Sequence, residues 1–398
     1  MNSMQIAKLA LEDGTVMTGE SFGAAGEVAG EVCFNTSMSG YQEILTDPSY
    51  RGQIVVMTCP QIGNYGVNAE DVESVRPHLS GFVVRELSRR VSNYRADGDL
   101  HSYLLRHGIV ALQGLDTRAL VRRIRIHGAL RGVLSTHDLN DESLVAKARA
   151  APGLVGRDLA REVAPKQPLR WQQPLHPWAT LAGNAAADLP PDAPHVIALD
   201  YGMKWNIARH LYSAGCRVTV LPGTATAEEV LAHNPDGVLL SNGPGDPARL
   251  GAIAREVAAL WEAMPVLGIC LGHQILALAA GARTFKLPFG HRGSNHPVRD
   301  GETGQVAITT QNHGYAVDEA TLAGTGLLVT HRNLHDGTVE GMRHRRLPVF
   351  SVQYHPEGRP GPQDSVALFD RFLAMVAAHG TPGRRRAIHR VQPRGTDG

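Results

Sequence analysis

The sequence predicts an α/β protein of two domains. A mixed β/α unit spans residues 1–150, and a unit with a mostly parallel sheet flanked by helices spans 195–380. Three observations carry this. From His195 to Ala280, apolar strands alternate with helices, the pattern of a parallel sheet covered on both faces. Before residue 150, strand-like pieces are short and separated by turn signals. Between Pro165 and Pro194 seven prolines lie among polar and small residues, which makes 151–194 a linker or irregular connection.

In the first unit, Met4–Leu11, Thr15–Gly19 and Gly30–Asn35 read as strands, with Asp13-Gly14 a hairpin signal between the first two. Gln53–Thr58 and Gly81–Arg85 are further apolar runs, while Leu100–His107 and Thr117–Ile126 have helical spacing. In the second unit, His195–Asp200, Cys216–Leu221, Gly237–Ser241 and Pro265–Ile269 read as strands. Helices are expected over Lys204–Ala214, from the capping box Thr226-Ala-Glu-Glu229 to His233, and over Gly251–Glu262 and Leu271–Ala280. The last third returns to strands at Gly304–Thr310, Leu327–His331, Thr338–Met342 and Val349–Tyr354, then a helix at Asp364–Ala378. Residues 381–398 form a basic tail, expected to be disordered.

Composition narrows the function. Hydrophobic content of 43% and charged content of 19% belong to an ordinary globular protein. A net charge of +1 gives no electrostatic case for nucleic acid or an acidic membrane as partner. No apolar run is long enough to span a bilayer, and the first ten residues lack the pattern of a secretory signal. The four cysteines, Cys33, Cys59, Cys216 and Cys270, form no Cys-x-x-Cys pair, so a reduced, cytoplasmic protein is expected.

Gly268-Ile-Cys270-Leu-Gly272 is the sharpest feature: a strand ends and a helix begins at a cysteine with glycine two residues to each side. This is a nucleophile elbow with sulfur as the nucleophile. The tight turn strains the backbone at the nucleophile, and glycines let strand and helix approach. The helix N-terminus favours the thiolate, and the Leu271 N–H is placed to meet an oxyanion. A buried structural cysteine is the competing reading. It is weakened by His273 and Gln274, two polar side chains on an otherwise apolar helix.

A thiol nucleophile needs a base, and the base an orienting group. His355-Pro356-Glu357 ends the strand Val349–Tyr354. Residues i and i+2 of an extended chain face the same way, so His355 and Glu357 point together. Taken alone, the pair reads more readily as a surface histidine beside a surface glutamate; it gains its meaning from the cysteine elbow some 85 residues earlier. Ser241-Asn-Gly243-Pro-Gly245-Asp-Pro247 follows a strand and suits a second oxyanion donor or an ordinary turn; it lacks the residues of a phosphate loop. Gln311-Asn312-His313-Gly314-Tyr315, also after a strand, is dense in hydrogen-bonding groups. His291, His296 and His313 fit no compact ligand set, and no metal site is expected.

Together, Gly268–Gln274, Asn242–Pro247 and His355–Glu357 resemble the class I (triad) glutamine amidotransferases over residues 195–380. Gly30-Glu-Val-Cys-Phe-Asn-Thr-Ser37, Gly40–Tyr50 and Gly114-Leu-Asp-Thr-Arg118 resemble the amino-terminal domain of the carbamoyl-phosphate synthetase small chain, as do Phe289–Gly293 and Asn295–Val298. The resemblance implies hydrolysis of L-glutamine through a thioester on Cys270, with His355 as base then acid and Glu357 orienting it. It carries glutamine contacts to Ser49, Gly243, Gly245, Leu271, Gln274, Asn312, Gly314 and Tyr315. It implies a large partner subunit, in a heterodimer or higher oligomer. That subunit receives ammonia through an internal tunnel and uses ATP, Mg and bicarbonate to make carbamoyl phosphate for arginine and pyrimidines. No cofactor is implied on this chain. Tyr315 and Ser294 depart from the family's usual phenylalanine and glycine, and the arginine-rich tail has no counterpart. An amidotransferase serving another synthetase would share the second half without the first. A catalytically silent docking subunit would not need the intact Cys270, His355 and Glu357.

Overall fold

The computed structural model describes residues 5–176, 189, 190 and 192–379. The basic tail over 381–398 lies outside the described residues. The first half closes into a barrel of seven strands. Going round it, Ile6–Leu11 is followed by Val16–Gly23, Val110–Gln113, Gly81–Val83, Gln53–Met57, Glu27–Asn35 and Leu130–Ser135, which pairs back with Ile6–Leu11. Alternation along these strands sorts the side chains. Leu9, Leu11, Val32, Phe34, Ile54, Val56, Leu112 and Leu134 gather in one cluster with Leu120 and Ile124 of helix Thr117–His127. Their neighbours Cys33, Val55, Met57 and Ala111 pack instead on helices Tyr41–Thr46 and Leu100–Arg106.

The second half is one ten-stranded sheet. Its centre is five parallel strands in the order Arg217–Pro222, His195–Asp200, Gly237–Leu240, Val266–Ile269, Val349–Val352. Antiparallel strands Val339–His344, Leu327–Asn333, Thr284–Asp300 and Val306–Val317 extend it on one side. Both faces of the parallel centre are covered, as its continuous apolar strands require. Ile197, Leu199, Val238 and Leu240 pack on helices Gly251–Trp261 and Leu271–Ala279. Val196, Ala198, Leu239 and Leu267 pack on helices Trp205–Ser213 and Ala367–His379. No helix among the described residues is long and apolar enough to cross a membrane.

Two local expectations change, and one strand is added. The connection after residue 150 is not all irregular, because Leu169–Trp171 adds an antiparallel edge strand against Val218–Val220. Residues 311–315 do not follow a strand; they lie inside the strand Val306–Val317. Its partner, Thr284–Asp300, carries Pro288, Gly290, Gly293 and Pro297. These mask the strand pattern in the sequence and coincide with two register shifts, between Lys286 and His291 and between Gly293 and His296.

Candidate active site

Cys270 lies at the carboxyl end of a central parallel strand, where ligands of such sheets bind. It joins strand Val266–Ile269 to helix Leu271–Ala279 with φ 55° and ψ −102°. A positive φ at a residue with a side chain is strained and must be held by its surroundings. Here the Cys270 N–H donates to Val352 O at 2.9 Å, and the Gly272 N–H donates to Ser241 O at 3.0 Å. The flanking glycines are sterically required. A Cβ on Gly268 would stand 2.7 Å from the Gly272 backbone, and one on Gly272 would stand 2.2 Å from Leu240 O. Leu271 opens the helix, so its N–H has no intrahelical acceptor.

His355 and Glu357 are both buried, and His355 Nδ1 lies 2.6 Å from Glu357 Oε1. Burial works against a charge on His355. The Glu357 carboxylate outweighs it and lifts the imidazolium to about 10, Lys204 opposes that rise, and the Cys270 sulfur adds to it. Glu357 is pushed up by burial, but Lys204 and His355 hold it well below the usual carboxylate range. With Nδ1 committed to Glu357, His355 Nε2 has no other partner and remains available to the sulfur beside it.

The cavity in front of Cys270 is lined by Ser49, Gly243, Gly245, Gln274, Asn312, Gly314 and Tyr315. Of the glutamine contacts implied by resemblance, only Leu271 is outside that lining, and it adjoins Cys270. Ser49, Asn312 and Gln274 are held in the wall by hydrogen bonds. Ser49 Oγ accepts from Asn242 Nδ2 at 2.9 Å, and the Ser49 N–H donates to Asp47 Oδ1 at 2.9 Å. Asn312 Nδ2 donates to Asp47 Oδ2 at 2.7 Å. Gln274 Nε2 donates to Tyr315 O and Gln353 Oε1. His273, by contrast, faces away from the cavity and meets Ser351 Oγ at 2.9 Å. Gly243 and Gly245 bring backbone to the wall. A Cβ at Gly243 would stand 2.3 Å from Tyr201 O, and Gly245 has φ 99°.

The histidines expected to form no ligand set behave in an unexpected way. The ligand atoms of His291, His313 and Glu340 lie within 4.8 Å of one another, all buried. Those atoms are already engaged: His313 meets Tyr315 O and Gln311 Oε1, and Glu340 accepts from Asn333 and Gln311. The cluster is a hydrogen-bond network that meets the cavity at His313.

The matches to known proteins fit this geometry. Residues 9–134 match the family model described as carbamoyl-phosphate synthase small chain, CPSase domain, and residues 197–375 match the one described as glutamine amidotransferase class-I. A relative from Rhodopirellula baltica, named carbamoyl phosphate synthase small chain, is 59% identical over 374 residues, 93% of this chain and 96% of the relative. The chain belongs to the carbamoyl-phosphate synthase small-chain family. Two further small chains support it. That of Syntrophotalea carbinolica is 56% identical over 93% of this chain and 97% of its own length. That of Escherichia coli is 52% identical over 93% and 97%.

Sequence reasoning missed residues of this small chain's site. Gln53, Leu154 and Arg292 also line the cavity, beside His313 of the segment 311–315. Lys204 is 1% exposed, and its Nζ donates to Glu357 Oε1 at 2.7 Å and to Arg359 O. The available signal was position: Lys204 follows the carboxyl end of strand His195–Asp200, the edge of a parallel sheet where ligands bind.

Proposed function

We propose that this chain is the glutamine-hydrolysing subunit of a carbamoyl-phosphate synthase. The observation that carries the reading is the strained Cys270 at a helix N-terminus, lining a cavity and interacting with a buried His355 that Glu357 orients. The Cys270 sulfur attacks the γ-carboxamide carbon of L-glutamine as a thiolate, its proton carried by His355. The oxyanion is held by the Leu271 N–H and a backbone N–H at Gly243. His355 returns the proton to the leaving nitrogen, ammonia departs, and a γ-glutamyl thioester remains. Water then attacks the thioester, with His355 again as base, and glutamate and the thiol are released. Ser49, Gly245, Gln274, Asn312, Gly314 and Tyr315 hold the glutamine.

The half-reaction needs no cofactor or metal on this chain. In this reading ammonia passes internally to a large subunit, which uses ATP, Mg and bicarbonate to make carbamoyl phosphate. The two form a heterodimer or a higher oligomer. A cytoplasmic setting agrees with the four free cysteines. The family match over residues 9–134 favours this synthase over other amidotransferase partners.

Ammonia release from glutamine by Cys270→Ser tests the mechanism. Loss of about a hundredfold or more is expected, because the hydroxyl is a far weaker nucleophile at neutral pH. Undiminished release removes Cys270 from the reaction.

A further inference from the structure

We propose that Lys204 is a positioning residue of the glutaminase: its ammonium holds the Glu357–His355 pair in place and sets the pH range over which Cys270 and His355 work. This rests on the hydrolytic role of Cys270 and His355 proposed above. The geometry is specific. Glu357 Oε1 accepts both His355 Nδ1, at 2.6 Å, and Lys204 Nζ, at 2.7 Å. The same ammonium donates to Arg359 O, two residues beyond Glu357. Lys204 therefore grips the segment carrying the carboxylate at two points. Its own backbone is fixed in turn, since the Lys204 N–H donates to Asn242 Oδ1 at 3.0 Å. The Asn242 amide also holds Ser49 in the cavity wall.

Lysine is rarely buried without a reason. Burial disfavours the charge on Lys204, but Glu357, Glu73 and Asp47 together keep it protonated. The surroundings leave no doubt which charges matter. Glu357 faces Lys204 from the strand-end segment, Glu73 and Asp47 face it from the barrel domain, and His355 lies beyond Glu357. Arg209 and Arg359 lie near this group, and His210, held neutral by burial to about 4, adjoins Glu357. A carboxylate shared by His355 alone would hold the imidazolium still more firmly. Lys204 draws on the same oxygen and lowers the proton affinity of His355.

The sign of the effect follows. Removing a positive charge raises the pKa of every acid nearby. Both limbs of the pH profile for glutamine hydrolysis, the one set by ion-pair formation and the one set by loss of the imidazolium, should then move to higher pH. The test is the pH dependence of kcat and kcat/KM in the full chain, or in its holoenzyme, for Lys204→Met, Lys204→Gln and Lys204→Arg. Lys204→Met should lose about tenfold or more in kcat at pH 7, with KM little changed, and shift both limbs upward by about one unit. Lys204→Arg, which keeps the charge, should return the limbs to the wild-type position even where its rate stays low. If Lys204→Met does not fold, Lys204→Gln serves, since it is neutral but keeps an amide donor. A neutral variant that loses rate with both limbs unmoved, or keeps the wild-type rate, overturns the proposal. Loss of the wild-type activity in Cys270→Ser tests the underlying reading separately.

Discussion

At the scale of single residues, the site depends on atoms that are missing as much as on those present. Gly272 has no room for a side chain: its Cβ would meet the carbonyl oxygen of Leu240, and backbone cannot swing aside as a flexible side chain can. Gly272→Ala should therefore pry the helix from the strand and move Cys270 off His355. We expect a stability loss of about 1–3 kcal/mol, as for overpacking, and a larger loss of glutaminase activity. Gly251→Ala is the control. It opens a helix at φ −58° with nothing near its Cβ, so it should leave urea unfolding and activity almost unchanged. If both variants behave alike, close packing is not what shapes the elbow. The same residues explain what was legible. A strained turn demands small neighbours at fixed offsets, so Gly268, Cys270 and Gly272 announce it locally. Lys204 announces nothing, because the carboxylate that makes its burial tolerable lies 153 positions away.

At the scale of elements, the parallel centre was legible and the antiparallel extension was not. Strands such as His195–Asp200 carry an unbroken apolar run, Val196–Leu199, because helices cover both faces, and that pattern survives in the sequence. Thr284–Asp300 bends through two register shifts and alternates irregularly between buried and exposed residues, so no period of two remains to be read. This strand is tied to Val339–His344 and to the loop before it by a charge cluster, buried at His291 and Glu340 and exposed at Asp336. His291 Nε2 lies 2.8 Å from Asp336 Oδ2, and its Nδ1 lies 3.5 Å from Glu340 Oε1. Burial opposes the charge on His291, but Asp336 and Glu340 lift its pKa to about 9. A folded-state pKa above the unfolded value gives stability that is complete below about 6.5 and is lost as pH rises through about 9. Glu340→Gln should remove part of it. The gap between wild type and variant in urea unfolding should be widest near pH 6 and narrow toward pH 10. A gap constant over that range would assign the role of Glu340 to its hydrogen bonds with Asn333 and Gln311 alone.

At the scale of the molecule, Cys270, His355 and Glu357, the residues proposed to be catalytic, come from one domain, but the cavity does not. The barrel domain reaches over the sheet through the turn Pro48–Tyr50, capped by Asp47. One buried carboxylate there serves two walls, taking the Ser49 N–H on one oxygen and Asn312 Nδ2 on the other. The joint is reinforced away from the cavity, where Glu73 accepts from the N–H and side chain of Asn206 and Val72 O accepts from Arg209. No periodicity or spacing in the sequence reveals this joint. Asp47 and Asn312 are separated by 265 positions, and each alone reads as an ordinary polar turn or strand residue. Asp47→Ala should free both walls without touching Cys270, His355 or Glu357. Losing a hydrogen bond to a charged group costs about 1.5–3 kcal/mol, which corresponds to a rise of about tenfold to a hundredfold in KM for glutamine. Asp47 also faces Lys204, but Glu357 and Glu73 still hold that ammonium, so kcat should fall much less. Steady-state glutaminase kinetics separate the cases. A raised KM with near-normal kcat makes the barrel domain part of the binding site. An unchanged KM would mean that Ser49 and Asn312 hold their places without it, and that the barrel contributes only support.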